Sequence, residues 1–322
     1  MKRFALRLMR SCGLFAAARA MSAQMARILM YHNFSGSGED PDAVAVSALR
    51  RQFEYLRRHF SVVPLADIIE QLESGRRLGS HAVALTIDDG RRNCYEWMFP
   101  LLKEFEMPAT FFVVSSFICR HDWIWTDKVL WLSEQPSRPS DLALGELAGF
   151  FYRMNRLRPE ARTEILETIA TGMGVTIPSE PPPKYAPSSW QELREMVGSG
   201  LVEIGSHSVN HPVLSSVTDD ESWHELTLSR AQIEEGLGRT VRFFCFPNGQ
   251  RGDFRPSQVR QVRDAGYRGA VAAYPGMVNR GTDPYEMPRI GVAGQSDALH
   301  FSKYVDGVEH YQMRLQRSLG LA

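Results

Sequence analysis

The chain has no acidic residue before Glu39, although Lys2, Arg3, Arg7, Arg10, Arg19 and Arg27 all precede it. Cysteine is sparse: Cys12, Cys94, Cys119 and Cys245 form no C-x-x-C pair, so neither a structural zinc site nor a disulfide framework is indicated. No apolar run reaches the roughly 18 residues that a membrane span needs. Net charge is also absent, with 37 Lys+Arg against 37 Asp+Glu, which removes an overall electrostatic footprint for nucleic acid. No G-x-G-x-x-G or Walker loop follows any apolar run, so the usual phosphate cradles are missing. What is there is an ordinary globular composition. The 322 residues, 43% hydrophobic, suffice for a sizeable core and for an α/β barrel of about 250 residues.

Residues 1–26 read as a basic amphipathic helix, with Phe4, Leu8, Cys12 and Phe15 on one face and Arg3, Arg7 and Arg10 on another. Such a helix packs on its own domain or rests on an anionic membrane surface. An export signal with cleavage near Ala20 or Ala23 stays open, although Arg19 interrupts the apolar stretch it would need. The unpaired cysteines and the poor signal favour a cytoplasmic location, peripheral to the inner membrane if the helix docks there.

From residue 27 to 322, short β-rich runs alternate with helical patterns. RILMYH, SVVPL, HAVALTI, ATFFVV, LVEIGS, VRFFCF, GAVAA and PRIGV read as strands. Helices are expected from Ser47, through ADIIEQLESG, through Trp97 to Leu102, over Asp219–Leu237, over Pro256–Ala265 and over Asp297–Leu319. Strands separated by helices imply parallel pairing, and their near-continuous hydrophobicity implies that both faces are covered. The expected architecture is therefore a distorted (β/α) barrel of parallel strands. A helical insertion over 117–187 interrupts it, carrying Trp123, Trp125, Trp131, helical stretches at Leu144–Met154 and Pro159–Thr171, and a Pro-rich run before a capping box at Ser189–Glu192. It reads as a lid or substrate platform, or as a small core of its own, the latter for at least two of the three tryptophans.

Polar groups with chemical potential cluster at the C-terminal ends of these strands. Asp88-Asp89-Gly90 reads as turn chemistry, or as two diverging carboxylates of which one holds a cation and the other stays free as a base. His207 and His211 are four apart after LVEIGS, and one helical turn would put both imidazoles on one side of an ion. FCFPNG reads as a plain strand-to-helix turn, or as a rigid turn offering backbone N–H groups to a developing oxyanion. His32 ends the first strand, and Arg289 in MPRI reads as a surface residue or as a carboxylate partner in the barrel mouth. In a parallel barrel these ends converge on one face, and carboxylates with two imidazoles compose a catalytic zinc-type site.

The sequence resembles the NodB-type polysaccharide deacetylases, carbohydrate esterase family 4, in their exopolysaccharide-deacetylase-like branch. ALTIDDG is similar to T-F-D-D-G with Ile87 in place of Phe, SHSVNH matches H-[ST]-x-x-H, and FCFPNG is similar to F-A-Y-P-x-G with Phe246 in place of Tyr. The likeness covers residues 27–116 and 188–293. It implies Asp88 as base, Asp89, His207 and His211 as ligands of a divalent metal, His32 as general acid, Arg289 as partner of Asp88, and the Phe246 backbone N–H as oxyanion donor. The metal implied is Zn²⁺, with Co²⁺, Mn²⁺ or Ni²⁺ as alternatives. The implied reaction removes N-acetyl groups from amino sugars of a glycan or a lipid-linked sugar. The Leu-x-x-His motif that supplies the acid elsewhere in the family has no match, and His300 lies in the last helix. Two other classes remain: a non-catalytic glycan-binding barrel, and a deformylase or O-acetyl esterase using the same groups.

Overall fold

The computed structural model describes residues 2–318 apart from 38, 39, 41, 121, 144, 293, 295 and 296. Ten strands are formed among the described residues: β1 (Arg27–Tyr31), β2 (Phe34–Ser35), β3 (Val44–Ala45), β4 (Ser61–Val62), β5 (Ala82–Ile87), β6 (Ala109–Val113), β7 (Val202–Ser206), β8 (Phe243–Cys245), β9 (Gly269–Pro275) and β10 (Met287–Gly291). Seven of them close into a ring in the order β1-β10-β9-β8-β7-β6-β5, sealed by β1 against β5, with every pair parallel. The short β4 pairs only with the first residues of β5, and β2 and β3 form a separate pair. The expected distorted barrel is present, built on seven strands rather than eight.

The sequence explains why the ring closes. All of Ala82–Ile87 and Ala109–Val113 is buried, as strands covered by a barrel interior on one face and helices on the other must be. The interior is filled by Ile28, Ala84, Phe112, Phe243, Val271 and Met287, with Ile68 and Ile69 of the helix Leu65–Glu73 joining that cluster. Gly205 makes room for it: a Cβ there would sit 2.5 Å from the Phe112 ring. A larger apolar layer, including Leu49, Phe53, Leu101, Phe111, Leu226 and Ile233, lies among the surrounding helices. The Asp219–Leu237 helix has its expected bounds, and the Ser189 capping box forms at the start of Trp190–Gly198.

Two helices differ from expectation, each broken at a glycine with positive φ. The segment read as one helix over 1–26 is two, Lys2–Ser11 and Leu14–Met21, separated at Gly13. The break splits the anticipated face: Phe15 is buried in a cluster with Leu6, Leu299 and Val308, whereas Phe4 and Leu8 are exposed. The closing helix is likewise Ala298–Val305 and Val308–Ser318 around Gly307, and Leu319 lies outside the described residues. Within the insertion the helices are Trp125–Ser133, Leu147–Met154 and Pro159–Gly172; Leu144, the expected start of the middle one, lies outside the described residues. No helix among the described residues is long and apolar enough to cross a membrane.

Candidate active site

The strand ends of β1, β5, β7 and β10 bring the candidate residues to one mouth of the barrel. Asp88 follows β5 and is held there by its N–H, which donates to the Tyr31 carbonyl at 3.0 Å. Arg289 projects from β10 with no exposed surface and grips Asp88 through two hydrogen bonds, Nη1 to Oδ1 and Nη2 to Oδ2, each 2.7 Å. The guanidinium is itself fixed by the Ala272 carbonyl at 2.8 Å and Thr86 Oγ1 at 3.0 Å. Burial alone would push the Asp88 carboxyl up. The charge and paired hydrogen bonds of Arg289 outweigh it and hold Asp88 well below the ordinary carboxylate range, ionised at neutral pH. His32, after β1, is partly exposed and puts Nε2 3.8 Å from Asp88 Oδ2.

Beside this pair lies the second carboxylate. Asp89 sits at φ +77°, followed by Gly90 at +89°, so the chain turns sharply and the two carboxylates diverge. Asp89 Oδ1 faces Nε2 of His207 at 3.9 Å and Nε2 of His211 at 3.8 Å. The two imidazoles do not meet on a helical turn, as the spacing suggested. Residues 207–213 form a non-helical loop in which Ser208 and His211 both adopt positive φ, and the His211 N–H donates to Ser208 Oγ at 3.0 Å. Glu225, from the Asp219–Leu237 helix, accepts the N–H groups of Val209 and Asn210 at 2.7 and 2.9 Å. Four of the six non-glycine residues with positive φ among those described, Asp89, Ser208, His211 and Asn248, lie in or next to this mouth, each conformation costing roughly 1–3 kcal/mol.

The donor chemistry of Asp89, His207 and His211 fits a divalent cation. His207 Nδ1 lies 2.8 Å from the Cys245 carbonyl, which only accepts, so Nδ1 carries the proton and Nε2 offers its lone pair. Burial, with His207 alongside, pushes the His211 imidazole down to about 3, so it is neutral and ligand-competent. Burial pushes Asp89 up, but Arg91 and the surrounding histidines outweigh it and keep the carboxyl low. Zinc with bonds near 2.1 Å sets tetrahedral ligands roughly 3.4 Å apart, so the observed spacings need to close by about half an ångström. Asp88, His207 and Cys245 also offer grouped donor atoms. That set fits poorly, because Arg289 already occupies both Asp88 oxygens and contacts Cys245 Sγ at 3.1 Å, while burial pushes the Cys245 thiol up.

The Phe246 assignment needs correction. Its N–H donates to the Val271 carbonyl at 3.1 Å, so the donor is spent on the ladder between neighbouring strand ends and does not serve an oxyanion. Its ring stacks on Phe254 at 4.0 Å, in keeping with a packing role.

A family model for polysaccharide deacetylases matches residues 75–270. The chain belongs to the polysaccharide deacetylase family. A 93-residue stretch, 28% of the chain, is 37% identical to the poly-β-1,6-N-acetyl-D-glucosamine N-deacetylase of Escherichia coli K12, and covers 14% of that protein's length. Two solved structures share the fold. Deacetylase PplD of Streptococcus pyogenes, in complex with acetate, has a TM-score of 0.60 at 15% identity over 87% of this chain and 98% of its own. IcaB of Ammonifex degensii has a TM-score of 0.61 at 19% identity, over 88% and 97%.

In this polysaccharide deacetylase family member, several site neighbours escaped sequence reasoning. Arg91 is buried between two carboxylates, 3.3 Å from Asp89 Oδ2 and hydrogen-bonded to Asp127 of the insertion. Burial pushes Asp127 up to about 7, Arg91 working against that shift and Asp89 with it. Trp125, also from the insertion, donates its indole N–H to the His211 carbonyl at 3.1 Å. Trp123 and Trp131 contact each other at 6.3 Å and belong to the insertion's own packing. Arg91 had a sequence signal in its place next to the Asp-Asp-Gly turn. Asp127 had none.

Proposed function

We propose that this protein is a zinc-dependent hydrolase that removes N-acetyl groups from amino sugars of a surface polysaccharide or its lipid-linked precursor. One observation carries the reading: an Arg289-clamped carboxylate stands beside a second carboxylate that faces two neutral imidazoles, at one end of a closed barrel. Family membership and the N-deacetylase name of the Escherichia coli relative support the same chemistry. Zinc held by Asp89, His207 and His211 would supply Lewis acidity, acidifying water and polarising the acetyl carbonyl.

The chain's own groups then have separable tasks. Asp88 accepts the proton of the attacking water, its carboxylate kept ionised and oriented by Arg289. His32, 3.8 Å away and open to solvent, gives a proton to the leaving nitrogen, which departs poorly as an anion. Products are acetate and a free amino sugar. A cavity of about 500 Å³, lined by Arg91, by the exposed Trp97 and by Asn33 next to His32, leaves room for sugar units beside the mouth.

Acetate release from β-1,6-linked N-acetylglucosamine oligomers, compared with hydrolysis of an aryl acetate, tests this reading through His32. Wild type is expected to release acetate from the oligomers, and His32→Ala to lose about 10²-fold or more on the amide. The ester should be spared, because a phenolate leaves without a proton. An oligomer left untouched by a zinc-loaded wild type that hydrolyses the ester favours the esterase alternative, and a His32→Ala fully active on the amide contradicts the assignment of His32 as the acid.

A further inference from the structure

The insertion packs around a cluster of its own, Val129, Leu132, Leu147, Phe150, Met154 and Leu166, separate from the barrel's clusters. That arrangement is what a detachable lid would show. Two of its side chains nevertheless reach behind the mouth of the barrel. Asp127, fully buried, binds Arg91, and Arg91 Nη2 lies 3.3 Å from Asp89 Oδ2, while Oδ1 is the oxygen that faces His207 and His211. Trp125 holds the carbonyl of His211, whose φ of +53° needs such restraint. Its indole is fixed in turn by the buried Arg162 guanidinium, 4.6 Å over the ring, and by Phe151 at 5.9 Å.

We propose that the insertion forms the rear wall of the metal centre, with Asp127 and Trp125 as positioning residues that set Asp89 and His211 for cation binding. The inference rests on the reading of Asp89, His207 and His211 as metal ligands. Its physical basis is a competition for one cation. Arg91 serves two carboxylates, and while Asp127 takes part of its charge, Asp89 keeps an oxygen free for the ion. Without Asp127 the guanidinium collapses onto Asp89 and neutralises the ligand that brings the negative charge. Arg91 is almost wholly buried, and among the described residues Asp89 is the other carboxylate within ion-pair distance of it. Trp125 acts on geometry instead: without its N–H the His211 carbonyl is released and the left-handed turn relaxes.

The test is zinc affinity of the full chain, measured by chelator competition at pH 8, with thermal midpoints of the zinc-free proteins as a folding control. Asp127→Asn is expected to weaken zinc binding by about 10–100-fold with a near-unchanged midpoint, and Trp125→Phe to weaken it less, in the same direction. Adding Arg91→Gln to Asp127→Asn should restore part of the lost affinity, because the competing cation is gone. A role limited to holding the insertion together would not produce that recovery. Should Asp127→Asn fail to fold, Trp125→Phe decides. Wild-type affinity in either folded single variant, or a double variant weaker than Asp127→Asn, overturns the inference. Wild type that binds no zinc overturns the metal-site reading itself, and the inference with it.

Discussion

Replacing Asp88 with Asn should lower kcat on an N-acetylated glycan by about 10²–10⁴-fold, the usual worth of a positioned base, while zinc stays bound. The separation follows from the divergence at the Asp88-Asp89 turn. Arg289 takes both Asp88 oxygens, whereas Asp89 turns Oδ1 to the Nε2 atoms of both His207 and His211. Asn keeps one acceptor for Arg289 and nearly the same volume, so the barrel mouth should remain intact. The variant loses the capacity to take a proton and the charge that pairs with Arg289, so its thermal midpoint should fall while the metal ligands stay in place. Turnover by single-substrate kinetics and zinc by elemental analysis, made on one preparation, check both halves. Full turnover in Asp88→Asn sinks the base assignment, and loss of zinc from it shows that Asp88 is a ligand.

Arg289→Leu should be the most destabilising single change at the site, costing about 3–5 kcal/mol in chemical denaturation. Arg289 is fully buried, and its removal strands the Asp88 charge without a counter-ion. The carboxyl would then be expected to rise, since burial, now unopposed, favours its protonated form. The pH dependence carries the sign. In wild type the folded-state value of Asp88 is depressed, so the pair's stabilisation is full above the ordinary carboxylate value, near pH 4, and is lost as pH falls below it. In Arg289→Leu that acid-side loss should disappear, and stability should instead improve on mild acidification, as Asp88 protonates. A variant with wild-type stability and wild-type pH dependence would show that the ion pair is not what holds this wall of the mouth.

The parts that the sequence disclosed are those in which a local pattern and a structural position coincide. Strands such as ATFFVV are legible because burial on both faces demands continuous apolar residues, and polar groups directly after such strands must lie at one end of a parallel barrel. That logic placed Asp88, Asp89, His207 and His211 together. It failed wherever the outcome depended on backbone dihedrals or on distant chain. The His207–His211 spacing suggested a helical turn, but Ser208 and His211 are left-handed, a conformation that non-glycine residues do not announce. Phe246 stood at a strand end with its N–H already promised to Val271, a pairing visible only once β8 and β9 are in register. Asp127 lies in the first turn of Trp125–Ser133, a helix that the sequence pattern did not single out, and only the folded insertion brings it to Arg91. Glycine marks chain breaks more plainly in hindsight: Gly13 and Gly307, both left-handed, divide helices whose apolar patterns run through them.

If Asp89, His207 and His211 hold a catalytic divalent cation, the metal content of the purified chain, loaded with zinc and cleared of excess, must differ from that of a His207→Ala/His211→Ala variant. About one zinc per chain in the wild type, absent from a variant whose circular dichroism is unchanged, is the predicted result. No specific zinc in the wild type, or the same content in both proteins, contradicts the account and moves the non-catalytic glycan-binding barrel to the front.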